Sequence, residues 1–163
     1  MKLQNALEYL SVYGWAIIII GVALATLYAL GVFNPSHFVS SQCFLPAGLY
    51  CSSFYLFTNG LLKVNLLQTT QAPINITALG CNENGTAYDM QQPYNPPTEQ
   101  ITLPIGSNYT FSVQCYNGAS YYSGSIGDMY SGYLIINYTD ITTGFPQVAY
   151  GKIVAKVSAQ STT

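Results

Sequence analysis

The chain has 163 residues and a net charge of −2, and only 6% of its residues are Asp, Glu, Lys or Arg, against about 25% in an ordinary soluble domain. So weak a field offers nothing to a phosphate backbone, which excludes nucleic acid as a partner. The surface must instead be wetted by hydroxyls, amides or attached sugars, a composition odd for a cytoplasmic enzyme and ordinary for an exported structural protein.

The N-terminus opens with Gln4, Glu8 and Tyr9 and runs into an apolar stretch that includes Trp15, Ile17 to Ile20 and Gly21 to Phe33. A secretory signal carries basic residues ahead of its apolar core and a small-residue cleavage site after it. Neither is present around this core, apart from Lys2, so the stretch is expected to stay on the mature protein. As a helix, Trp15–Phe33 would cover about 28 Å, close to a bilayer's hydrocarbon thickness. Lys2 would leave the N-terminus in the cytoplasm, and Tyr9, Tyr13 and Trp15 fit an interfacial girdle. Gly31 and Asn34-Pro35 predict the stop.

Two features exceed the needs of a simple anchor. Gly21, Ala25 and Ala29 recur every four residues, a strip along which another helix can approach closely. Glu8 stands at the edge of the apolar zone, where a charge needs a partner.

Residues 35–42 read as a hinge, with His37 a solvated loop residue within it. Residues 43–163 read as an extracellular domain of roughly 120 residues, enough for one core. Its four cysteines, Cys43, Cys51, Cys81 and Cys115, lack the paired spacing of a zinc or redox site. Outside a membrane span, an even number predicts two disulfides in an oxidising compartment. Three pairings are open. Cys43–Cys51 with Cys81–Cys115 is favoured, because the first pair closes a short loop through Pro46-Ala47-Gly48.

Extended runs are predicted at Phe54–Thr58, Leu61–Gln68, Ile74–Leu79, Gln100–Leu103, Tyr109–Cys115, Tyr133–Tyr138 and Val148–Val157. About seven short strands with turn signals between them predict an antiparallel sandwich of immunoglobulin type. The expected fold class is therefore α+β: a long apolar helix over 4–34 followed by a β-sandwich. Residues 82–97 and 118–132 read as surface loops.

Four Asn-x-Thr sequons begin at Asn75, Asn84, Asn108 and Asn137. Strand alternation would turn Asn75, Asn108 and Asn137 outward with their threonines, opposite Ile74 and Ile76, Tyr109 and Phe111, and Ile136 and Tyr138. N-glycosylation is expected at Asn75, Asn84, Asn108 and Asn137, with strand alternation as a second signal at three of them. The acids Glu83, Asp89, Glu99, Asp128 and Asp140 are scattered, no Ser-His-Asp set can be assembled around His37, and Gly124-Ser125-Ile126-Gly127 lacks the lysine of a phosphate loop. The reading is of a non-enzyme without cofactor or metal.

The Gln4-x-x-x-Glu8-Tyr9 pattern, with Leu7 to Leu10 and Tyr13 to Ala16, resembles the start of an archaeal type IV pilin. Tyr130–Thr139 and Gly151–Val157 resemble the closing strands of that family. The resemblance implies a prepilin peptidase cut between Leu3 and Gln4, so that residues 1–3 form a leader. It also implies an assembly role for the Glu8 carboxylate and a cytoplasmic membrane location before assembly. Its further implication is polymerisation through the helix, by a pilus assembly machine, into an adhesive helical homopolymer on the cell surface. An archaellin-like motility filament, a minor or priming subunit, and a membrane-tethered binding domain are the alternatives.

Overall fold

The structure, a computed structural model, describes residues 2–33, 40–87, 90–91 and 101–159, with the backbone alone for 2–8 and 10–12. The chain divides into two compact units, Met1–Val39 and Ser40–Thr163.

The first unit holds helix α1, Lys2–Ala29. No proline interrupts it, and Ala and Leu favour it, whereas Ile17 to Ile20 are β-branched and lose side-chain freedom in a helix. Its end is set by Gly31, at φ 70°. The Gly31 amide donates to the Tyr28 carbonyl at 3.0 Å and the Val32 amide to Leu27 at 3.2 Å. This is a Schellman arrangement, in which a left-handed glycine satisfies the last carbonyls. The cap stops the helix before Leu30, so the apolar residues from Leu30 to Phe33 do not lengthen it. From Tyr13 to Ala29 the rise is about 25 Å, short of a bilayer core. Among the described residues no helix is long and apolar enough to cross a membrane, which corrects the expected spanning segment over 4–34.

The described residues of the second unit form nine strands: β1 (Gln42–Phe44), β2 (Leu49–Phe57), β3 (Leu61–Gln68), β4 (Ile74–Asn82), β5 (Ile101–Leu103), β6 (Asn108–Asn117), β7 (Ser120–Tyr121), β8 (Met129–Asp140) and β9 (Pro146–Ser158). The chain is mostly β, and the expected immunoglobulin-like sandwich is corrected to a closed six-stranded barrel. Two antiparallel sheets, β4-β8-β9 and β2-β3-β6, join along both borders through parallel contacts. One seam pairs Leu56 with Val157 and Phe57 with Ser158. The other pairs Cys81 with Cys115 and Asn82 with Tyr116. Strands β1, β5 and β7 lie outside the ring, on β9, β4 and β6.

Closure places alternate side chains inside. Leu56, Leu62, Val64, Leu66, Ile76, Val113, Leu134, Ile136 and Ile153 are fully buried. The β2–β3 turn is cut by Gly60, whose amide donates to Phe57 at 2.9 Å. Any β-carbon there would collide with the Tyr122 carbonyl, and its φ of 79° favours glycine independently.

Each seam carries a disulfide. Cys81–Cys115 crosses the β4–β6 seam directly. Cys43, paired in register with Ile153 of β9, is bonded to Cys51 of β2, so β1 straps the β2–β9 seam. Both pairings are the favoured ones. Gln91 adds to the first seam: its backbone exchanges hydrogen bonds with Leu79 of β4 at 2.7 and 2.6 Å. Its side-chain amide exchanges two more with the Gln114 backbone of β6, at 2.8 and 2.9 Å. A side chain here does the work of a strand.

Loss of loop-closure entropy predicts that replacing Cys81 and Cys115 together with Ser costs about 4 kcal/mol of stability, and the Cys43–Cys51 pair about 2.5 kcal/mol. Urea titrations of the two double variants check this order. A smaller loss for Cys81 and Cys115 than for the other pair would refute it.

Candidate functional site

Two surfaces stand out once the fold is known. The first is α1. From Tyr13 onward its described side chains are exposed on every side except at half-exposed Gly14, with Trp15 71% and Ile17 69% accessible and Ile18 to Ile20, Val22 and Leu24 similar. A helix that is apolar all round belongs in a core. Among the described residues, the core cluster is drawn from the second unit. Gly21, Ala25 and Ala29 are exposed along one line of this helix, and a β-carbon on Gly21 would meet nothing within 4 Å. Tyr9 and Tyr13 stack with ring centroids 5.6 Å apart. Leu3, Gln4 and Glu8 belong to α1 by backbone, but their side chains lie outside the described residues, as do Pro35 and His37.

The second surface is the outside of β1, β9 and β8. Register aligns Phe44 with Lys152 and Lys152 with Tyr133, giving a ring, an ammonium and a ring side by side, all exposed. Tyr150 and Val148 extend the patch along β9 and are also exposed. Sequence reading missed this row. Its signal was the outward parity of Tyr133, Tyr150 and Lys152, but the register between strands that unites them is not written in any one of them. Ile135, on the same outward parity, is nevertheless fully buried, because Met90 and Gly80 lie against that point of the wall.

The sequons do not share one environment. Asn75 and Asn137 face outward as expected, yet both are half-buried, and their side-chain oxygens are shut off from solvent. Thr77 donates its hydroxyl to the Asn137 carbonyl at 3.2 Å. Asn108 is exposed at the start of β6, with the hydroxyl of Thr110 accepting from the Asn65 amide at 2.9 Å. Asn84 and Thr86 are both exposed in the bend after β4.

Two of the described acids serve the backbone. Asp128 accepts from the Ser125 amide at 2.8 Å, and Asp140 from Thr142 and Thr143 at 2.7 and 3.1 Å, capping the β8–β9 turn. Asp89 and Glu99 lie outside the described residues. Among the described residues no group of three His, Cys, Asp or Glu is placed to hold a metal.

One titratable group sits deep. Tyr130 is buried beside the second seam, where its hydroxyl donates to the Tyr116 carbonyl at 3.3 Å and lies 3.7 Å from Cys81 Sγ. Burial, then the Glu83 charge, raises its pKa far above the ordinary phenol value. Burial raises Tyr122 and Tyr138 in the same direction. No protein-family model matches the chain, and no characterised protein matches it at significant similarity.

A phenol whose folded-state pKa is raised contributes stability that is fully present below its unfolded pKa of 10.0 and is lost as pH climbs toward the folded value. Tyr130→Phe is expected to cost about 1 kcal/mol at neutral pH through the lost hydrogen bond. It should also flatten the alkaline decline above pH 10.0. Denaturant melts at neutral and alkaline pH test this; parallel declines in both proteins would refute it.

Proposed function

We propose that this chain is the structural subunit of a cell-surface filament of the archaeal type IV pilus kind, polymerising through α1 and displaying its barrel outward. One observation carries the reading: the described side chains of α1 from Tyr13 to Ala29 are almost all apolar and are exposed. Such a surface needs a partner in the assembled state, and the partner that matches it best is the same helix of sister copies. The two disulfides indicate an oxidising, extracellular or secreted environment, which agrees with display outside the cell.

In this reading the Gly21, Ala25 and Ala29 strip lets neighbouring helices approach closely, gaining dispersion contacts. Glu8 supplies the carboxylate of assembly, and a peptidase cuts between Leu3 and Gln4 beforehand. A head-to-tail contact that does not close into a ring grows into an open helical polymer. Barrels repeated along it bind weakly but many times, which gives adhesion through multivalency.

Gly21→Leu separates this from a tethered monomer. The new side chain enters open space in the single chain and gains roughly 0.5–1 kcal/mol of helix propensity, so the monomer folds. Electron microscopy of sheared surface fibres, with peptide mass spectrometry, is expected to find this chain in wild-type fibres and no fibres from the variant. Wild-type chain recovered only from washed membranes, or normal fibres from Gly21→Leu, would overturn the reading.

A further inference from the structure

We infer that Asn84 is the glycan-bearing sequon of this barrel, and that the attached sugars lie along the Tyr133–Lys152–Phe44 row. The inference rests on the extracellular setting and does not depend on polymerisation.

A transferase must reach both the Asn amide and the hydroxyl two residues on, which favours a sequon in a surface loop. Three of the four fail some part of this. Asn75 and Asn137 are half-buried, with side-chain oxygens closed off from solvent, and the Thr77 hydroxyl is engaged with the Asn137 carbonyl. Asn108 and Thr110 sit in β6, where they pair with Leu67 and Asn65 of β3, and the Thr110 hydroxyl is held by Asn65.

Asn84 differs. The side chain of Asn82 braces the bend from within: its Oδ1 accepts from the Gly85 amide at 2.8 Å, and its Nδ2 donates to the Thr86 carbonyl at 2.7 Å. The braced bend leaves Asn84 and Thr86 both exposed. In the transfer, Asn84 Nδ2 forms a bond to the anomeric carbon of an oligosaccharide carried on a lipid phosphate. The carbon–oxygen bond to the carrier breaks, its electron pair leaves on the phosphate oxygen, and one amide proton passes to the transferase's base.

The same bend sits on the aromatic row. The Tyr133 ring packs against Gly85, so closely that a β-carbon there would stand 3.1 Å from two ring atoms. From Tyr133 the row continues to Lys152 and Phe44 across two strand spacings, about 10 Å, or about two sugar residues. Rings offer apolar faces to the carbon side of a sugar, and the Lys152 ammonium offers donors to its oxygens. A glycan here would cover Phe44, which is 64% exposed, and Tyr133, which is 36% exposed.

The full chain purified from its producing cells, digested with chymotrypsin and mapped by mass spectrometry, is expected to carry a glycan increment at Asn84 and none at Asn75, Asn108 or Asn137. Asn84→Gln should lose that increment. Hydroxyl-radical footprinting should then label Tyr133 and Phe44 several-fold more in Asn84→Gln than in the glycosylated chain, with Tyr55 on β2 unchanged. An unmodified Asn84, or occupancy at Asn75, Asn108 or Asn137 instead, would overturn the site. Equal labelling of Tyr133 and Phe44 in both proteins would overturn the sugar bed. Fibres built from unglycosylated chains would sink this inference and leave the filament reading standing.

Discussion

Closure of the sheet is the constraint on which the second unit depends. Among the described residues each seam has two residue pairs, Leu56–Val157 with Phe57–Ser158, and Cys81–Cys115 with Asn82–Tyr116. Contacts so short contribute little by backbone hydrogen bonding alone. Covalent bonds reinforce both, and the Gln91 amide widens one by standing in for a missing strand. The barrel has few charges to arrange on its surface, and closure removes the free strand edges of its ring that charges usually guard. The core, the buried Tyr130 and the outer aromatic row all presuppose the ring.

Local pattern was legible where one strand decides its own fate. The run Leu61–Gln68 reappears as β3 with those bounds, and the Tyr109–Cys115 alternation reappears in β6, with Phe111, Val113 and Cys115 inside. The difference between sandwich and barrel was not legible, because both put alternate residues on one apolar face. What separates them is the pairing of Cys81 with Cys115 and of Leu56 with Val157, partners far apart in the chain. The stretch from 118 to 132 read as loop because Gly, Ser and Tyr dominate it, yet it holds β7 and the start of β8. Strand β1 straddles the expected boundary, with Gln42 in the hinge and Cys43 and Phe44 in the domain, and three residues are too few to show a period.

The site followed the same division. Gly31 announced the end of α1 through backbone chemistry that one residue carries. Outward parity placed Asn75 and Asn137 correctly by face, but accessibility depends on neighbours no strand encodes. Asn84, which had no strand pattern to recommend it, ended in an exposed bend with its threonine exposed beside it. The row of Tyr133, Lys152 and Phe44 needed three strands in register before it existed.

The chain has four lysines and no arginine, and the ladder governs what becomes of those beyond α1. Lys63 is flanked by Tyr55 and Ser112, Lys152 by Phe44 and Tyr133, and Lys156 by Met129, with its amide donating to the Ser41 hydroxyl. Digestive enzymes that cut after basic residues take their substrates as single extended segments. Within the barrel each such bond is already stitched to its neighbours, so enzymes of the trypsin type meet a shell without a loose thread.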